Sequence, residues 1–331
     1  QKEIEAESGL CIGAKQPMER EKDKDKDGAN SLDVQKFNVG GYYQLFEDVD
    51  PHVVNAKRRC TVRSDTNFSV LLREFQYYLS EFIRQFTNAE DNMIELERLR
   101  TSSIFQQYAY FSCELQQLDL RVTIDSADNY AFFINLYNCM VLHCFVHYHE
   151  LEKLEHSVFH SGKNTRNNLI FSQFCYDIGG LRFSLDEIEF GILQKNAKTP
   201  ACLVGNSSTL FRNADPRAKY GGIVNSPDSR VTFALYRGSK DSPALQLYTH
   251  NIDAELSSCT NAYLQGHVRV CETGGKKEVY LPGLLKWIPE QEIGKTPKQM
   301  VLWVACQCHD STLQEKLMEA AERPSKSLLV K

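Results

Sequence analysis

The chain has 331 residues, of which 42% are apolar, 11% aromatic and 24% charged, the balance of a folded globular protein. Thirty-eight Lys and Arg stand against 43 Asp and Glu, a formal charge of −5, which excludes the broad positive face of a nucleic-acid-binding protein but not a small basic site. At roughly 150 residues per domain the length fits one large domain or two ordinary ones, and the densest apolar runs, Cys139 to Val146 and Met300 to Cys306, fall short of the ~20 residues of a membrane span.

Residues 1–36 are rich in Lys, Glu and Asp and poor in aromatics, so they are expected to form a disordered charged tail. Within them Asp23, Asp25, Asp27 and Gly28 match the opening of a calcium-binding loop, but Val34 stands where the closing carboxylate belongs, and a solvated charge run is the better reading. This end has no apolar core of a signal peptide. It starts at Gln1 rather than Met, which is read as a fragment or processed form with room for upstream modules. Residues 37–66, with Phe37, Tyr42, Tyr43, Leu45 and Phe46 close together, read as an arm or the remnant of a preceding module.

Residues 67–323 carry the main domain, and 324–331 read as a tail. Phe68, Leu71, Leu72, Phe75, Leu79, Phe82, Ile83 and Phe86 recur every three or four positions, which predicts an amphipathic helix. A second helix is predicted over 101–118. A third, over 128–148, is apolar on nearly every side and belongs at the centre. Ser184 and Glu187 have capping-box spacing, so a helix should run from 185 to about 194. Residues 195–228, rich in Gly, Pro, Asn and Ser, read as a long ordered loop. The alternation of Val231, Phe233 and Leu235 predicts a strand over 230–236. A helix over 249–264 and a hairpin of 267–272 with 278–281 follow. Helices come first and antiparallel strands later, so the class is α+β: a helix-rich domain with a small antiparallel sheet.

The eleven cysteines are odd in number and scattered, as for free thiols in a reducing cytoplasm. His143 and His147, spaced i, i+4, place two imidazoles on one helix face with His149 beside them, but no third ligand is evident; Cys306, Cys308 and His309 lie close together but lack a matching second half. No metal and no cofactor is expected, and no P-loop or dinucleotide fingerprint occurs. Asn135, Tyr137 and Asn138 are unusual in so apolar a helix and must be hydrogen-bonded if buried. They read as a structural or binding polar network, with Gly179 and Gly180 in a tight turn and Arg230 and Lys240 further along. Ser242 sits in the turn Gly238-Ser-Lys-Asp-Ser-Pro243; such a turn can display a nucleophile, with a distant His as base, although a Ser before Pro is usually a plain turn residue.

These segments resemble a known family. Ala131 to His143, Tyr176 to Gly180 with Ser184 to Leu193, Asp215 to Arg217, Asp228 to Leu235 with Gly238 to Pro243, and Val279 to Trp287 are similar, in order and spacing over about residues 68–310, to the domain of unknown function 547. The lead-in Cys113 to Leu120 resembles its eukaryotic members, some of which carry glutaredoxin and DEP modules upstream; Phe37 to Asp48 would be the end of such a DEP module. The resemblance implies a papain- or transglutaminase-like fold and a Cys before the Pro of the third block, where this chain has Ser242. It also implies a second Cys at Arg237 and an Asn at Tyr236. Lacking the thiol, the domain is expected to be a non-catalytic protein-interaction scaffold within a larger cytoplasmic protein. The alternative is a residual papain-like hydrolase with Ser242 as nucleophile and His143 as base. The partner is expected to be a protein, with no nucleic acid and no transmembrane segment involved.

Overall fold

The computed structural model describes residues 50, 52–56, 68–118, 126–154, 170–199, 209–224, 226–273, 276–322 and 328–330. The expected tail of 1–36, its calcium-loop-like run and the stretch from Phe37 to Asp48 lie outside the described residues.

Helix α1 (Phe68–Phe86) turns Leu71, Phe75, Leu79 and Phe82 inward, as its spacing requires. A single turn, α2 (Leu96–Arg100), leads to α3 (Ser103–Phe111), whose N-cap Ser102 accepts from the Phe105 amide. The predicted helix over 101–118 tightens after Phe111 into a 3-10 segment, Ser112–Gln117. Helix α4 (Ser126–Leu154) is the centre of the domain: every residue from Asn129 to Cys144 is buried, and α1 lies along it. Its stretch from Ala127 to His149 is long and apolar enough to cross a membrane, but 94% of the window is buried inside the protein, which marks a core helix.

Strands β1 (Cys175–Ile178) and β2 (Leu181–Ser184) form an antiparallel hairpin with Cys175 opposite Ser184 and Ile178 opposite Leu181. Its turn needs glycine: Gly179 has φ +61°, and a Cβ there would stand 2.4 Å from the Leu118 carbonyl oxygen. Residues 52–56 lie beside β1 like an added strand, with Val54 N donating to Cys175 O and Cys175 N to His52 O. Ser184 and Glu187 make the expected capping box, each side chain accepting from the other's amide. The helical segment it opens widens into a π turn over Glu187–Leu193.

The strand predicted over 230–236 is not one. Ser229–Phe233 form a 3-10 helix, capped by Asp228, whose carboxylate accepts from Arg230 N. Every residue from Val231 to Tyr236 is buried, Thr232 and Ala234 included. In a run enclosed on all sides, alternation of side-chain size carries no strand signal.

Helix α5 (Ile252–His267) leads into the predicted hairpin, β3 (Arg269–Thr273) with β4 (Lys276–Tyr280), Val270 opposite Val279. A 3-10 turn (Gly283–Trp287), the short α6 (Glu290–Ile293), α7 (Pro297–Gln307) and α8 (Ser311–Glu322) follow. Helix α7 opens on a full capping box, Thr296 with Gln299, and Pro297 in its first turn. Strand β5 (Leu328–Val330) then pairs parallel to β4, inside the stretch read as a tail. The domain is helix-rich α+β, with a two-stranded and a three-stranded sheet among the described residues. The eight described cysteines are free thiols.

Leu136 is 0% exposed at the middle of α4. Leu136→Ala is expected to lower the unfolding free energy by about 2–5 kcal/mol in a denaturant titration.

Candidate functional site

The polar residues of α4 reach out to later segments of the chain. Asn135 Oδ1 accepts from Tyr248 N (3.0 Å) and its Nδ2 donates to Tyr248 O (2.7 Å). One turn on, Asn138 Oδ1 accepts from Tyr236 N (2.9 Å) and its Nδ2 donates to Ala234 O (3.0 Å). Each carboxamide thus replaces a strand partner for peptide groups that are buried and belong to no ladder. Asn55 grips Asp177 in the same manner, and Asn196 grips Phe211.

His143 lies two turns along α4 and is fully buried. Its Nδ1 is 2.6 Å from the Tyr176 hydroxyl, which is 2.9 Å from the Tyr108 hydroxyl, and the Phe105, Tyr108 and Tyr176 rings meet the imidazole edge-on. Burial pushes both phenols far above their usual range, so they stay protonated. The other two histidines of this helix face elsewhere: His147 packs on Phe174, and His149 Nε2 is 3.0 Å from Glu97. Among the described residues no group of three or more His, Cys, Asp or Glu side chains is arranged to hold a metal ion.

Ser242 belongs to a different place. The 3-10 helix ends in a turn at Gly238 (φ +68°), where a Cβ would fall 2.5 Å from the Phe145 ring, so the chain can pass α4 here only as glycine. The turn brings Ser242 Oγ back to accept from Arg237 N (2.7 Å) while it donates to Pro243 O (3.0 Å). Ser242 and Lys240 line a cleft of about 280 Å³ together with Asp91, Met93, and Tyr263 and His267 of α5. His267 stacks on Tyr263 at 4.0 Å and its Nδ1 meets Tyr263 O at 2.8 Å; the Tyr263 hydroxyl donates to Asp241 O. Cys259 also lines the cleft, 3% exposed, and burial raises its thiol pKa, the direction opposite to that of an activated nucleophile. It is eight residues from His267 on one helix, a rise of ~12 Å.

The fold therefore separates the residues singled out from the sequence. His143 is in the core, Ser242 and Lys240 are in the cleft, and Gly179 and Gly180 are in the β1–β2 turn. Arg230 is held by Asp228 and Asp253. Tyr137 leads to a cluster that the sequence reading missed. Arg237 turns inward, its side chain only 10% exposed, and donates to the fully buried Glu189 (2.7 Å). It reaches the Tyr137 hydroxyl at 3.4 Å and lies 4.0 Å over the Trp287 ring. Burial, with the Glu189 charge beside it, pushes Asp186 up to about 7, while Arg237 pulls the other way. The signal in the sequence was Glu189 itself, a carboxylate on the apolar side of Ile188, Phe190, Ile192 and Leu193.

Two outcomes follow. Asn138→Ala leaves the 234 and 236 peptide groups bare and is expected to cost about 1–3 kcal/mol for each group so exposed, read by chemical unfolding. Asp186 carries a folded-state pKa near 7 against an ordinary 3.8. As pH rises between those values the unfolded chain releases its proton first, so stability falls across that window and the penalty is complete above about 7. Asp186→Asn is expected to lack this decline when unfolding free energies at pH 5 and pH 8 are compared.

The family described as a protein of unknown function, DUF547, matches residues 122–264, from the start of α4 through the Ser242 turn to the end of α5. The earlier helices and the segment from Val279 to Trp287, which also carried the resemblance, fall outside that match. No curated protein and no solved structure matches the chain. Residues 122–264, the part that builds both the asparagine clamps and one wall of the cleft, belong to the DUF547 family.

Proposed function

We propose that this chain is a non-catalytic protein-interaction module, a scaffold within a larger cytoplasmic protein, and that the cleft beside Ser242 is its recognition surface. The observation that carries this reading is the state of the Ser242 hydroxyl. It accepts from one backbone amide and donates to one backbone carbonyl, with no imidazole among its partners. A serine hydroxyl attacks only when a base removes its proton. The alternative, a residual papain-like hydrolase using Ser242 and His143, would require His143 to leave its bond with Tyr176 and its aromatic enclosure. His267, which does line the cleft, is stacked on Tyr263.

The cleft has the features of a binding surface: aromatic walls from Phe233, Tyr236 and Tyr263, with both Lys240 and Asp91 at its rim. A fluorophosphonate probe tests the reading. The wild-type chain is expected to remain unlabelled; labelling that disappears in Ser242→Ala would overturn it.

A further inference from the structure

Asp186, which opens the π-turn segment, and Glu189 within it stand three residues apart, and each has a buried oxygen with no hydrogen-bond donor: Asp186 Oδ1 and Glu189 Oε2. Among the described residues the cation beside them is Arg237, which gives its Nη2 to Glu189 Oε1 and leaves its Nε without an acceptor. Two carboxylates facing one guanidinium leave an excess negative charge in a site that water hardly reaches, with two acceptors unsatisfied. A proton on Asp186 removes one of the two buried negative charges and leaves Glu189 as the single counter-charge of Arg237.

We propose that the Asp186 carboxyl keeps a proton beside the buried Glu189–Arg237 pair, and that this proton latches the turn of residues 237–243 that lines the cleft. The connection runs through one residue. The Arg237 side chain is held by Glu189, Tyr137 and the Trp287 ring, and its backbone amide holds Ser242 Oγ. Beyond that bond the turn is closed by Ser242 N donating to Ser239 O. When the proton leaves for solvent, the excess charge is relieved by admitting water or shifting Arg237, and the turn is the part free of any helix or strand. The other groups facing the pair do not take up the proton's role. Glu187, on the same segment, is engaged by Arg217 at 2.7 Å. Tyr137 on α4 is a phenol that burial keeps neutral. The 3-10 turn contributes the Trp287 face, with Lys286 exposed beside it.

The consequence for recognition rests on the cleft reading above; the proton itself does not. Trp287 is a natural reporter, because Arg237 lies on its ring and Trp303 is the only other tryptophan. In the full chain carrying Trp303→Phe, Trp287 emission is titrated from pH 5 to 9, and amide exchange of residues 238–242 is followed in the wild type over the same range. The expected result is one emission step with a midpoint near 7, with exchange about tenfold faster above it after correction for the intrinsic rate. Both changes are expected to vanish in Asp186→Asn. A flat titration, or a step that survives Asp186→Asn, would overturn the proton on Asp186. A step with no change in the exchange of 238–242 would overturn the latch. Probe labelling of Ser242 would defeat the recognition reading while leaving the titration intact, so the two fail separately.

Discussion

Asn135 and Asn138 each present a carboxamide to peptide groups that have no helical or strand partner. A primary amide has the donor and acceptor of a peptide unit, side by side, so one asparagine can satisfy both groups of a passing residue, or the carbonyl and amide of two residues bent toward it. Placed on the most buried helix of the domain, the pair fixes two segments far away in sequence, Ala234 to Tyr236 and Tyr248. Those segments flank the Ser242 turn. The walls of the cleft are therefore positioned from the core outward, by four hydrogen bonds in a low-dielectric environment where each is strong and each would be costly to lose.

Around this frame the polar residues of the core fall into two kinds. The Tyr108–Tyr176–His143 chain and the asparagine clamps are joined by hydrogen bonds alone. Arg237, Glu189 and Asp186 form an ionisable cluster, with orphaned oxygen atoms left over. A buried pair of this sort is weak support for stability, because desolvation offsets most of the Coulomb attraction. Its value lies in geometry: it fixes where the chain leaves the core on its way to Ser242.

Helix α1 was legible from its one-sided apolar stripe and the central α4 from apolar residues on nearly every side. The three-and-four spacing of α1 and the capping box at Ser184 and Glu187 each predict what is found. Helices α7 and α8 went unread even though Thr296, Pro297 and Gln299 spell a helix start. The 3-10 helix of Ser229–Phe233 read as a strand because a fully enclosed run has no solvent face to set its period. Likewise the sequence names Asn135, Asn138 and His143 as unusual, but their separate assignments depend on segments 96 to 113 positions away for the asparagines and 33 positions away for His143. The Glu189–Arg237 pair is 48 residues apart in sequence and crosses two elements, a contact that no local pattern encodes.

The asparagine clamps touch only main chain. They are indifferent to what the clamped residues carry, provided the path is kept. The lining at 236 and 242 can thus be exchanged piece by piece while the scaffold persists, which separates the inheritance of shape in this domain from the inheritance of chemistry.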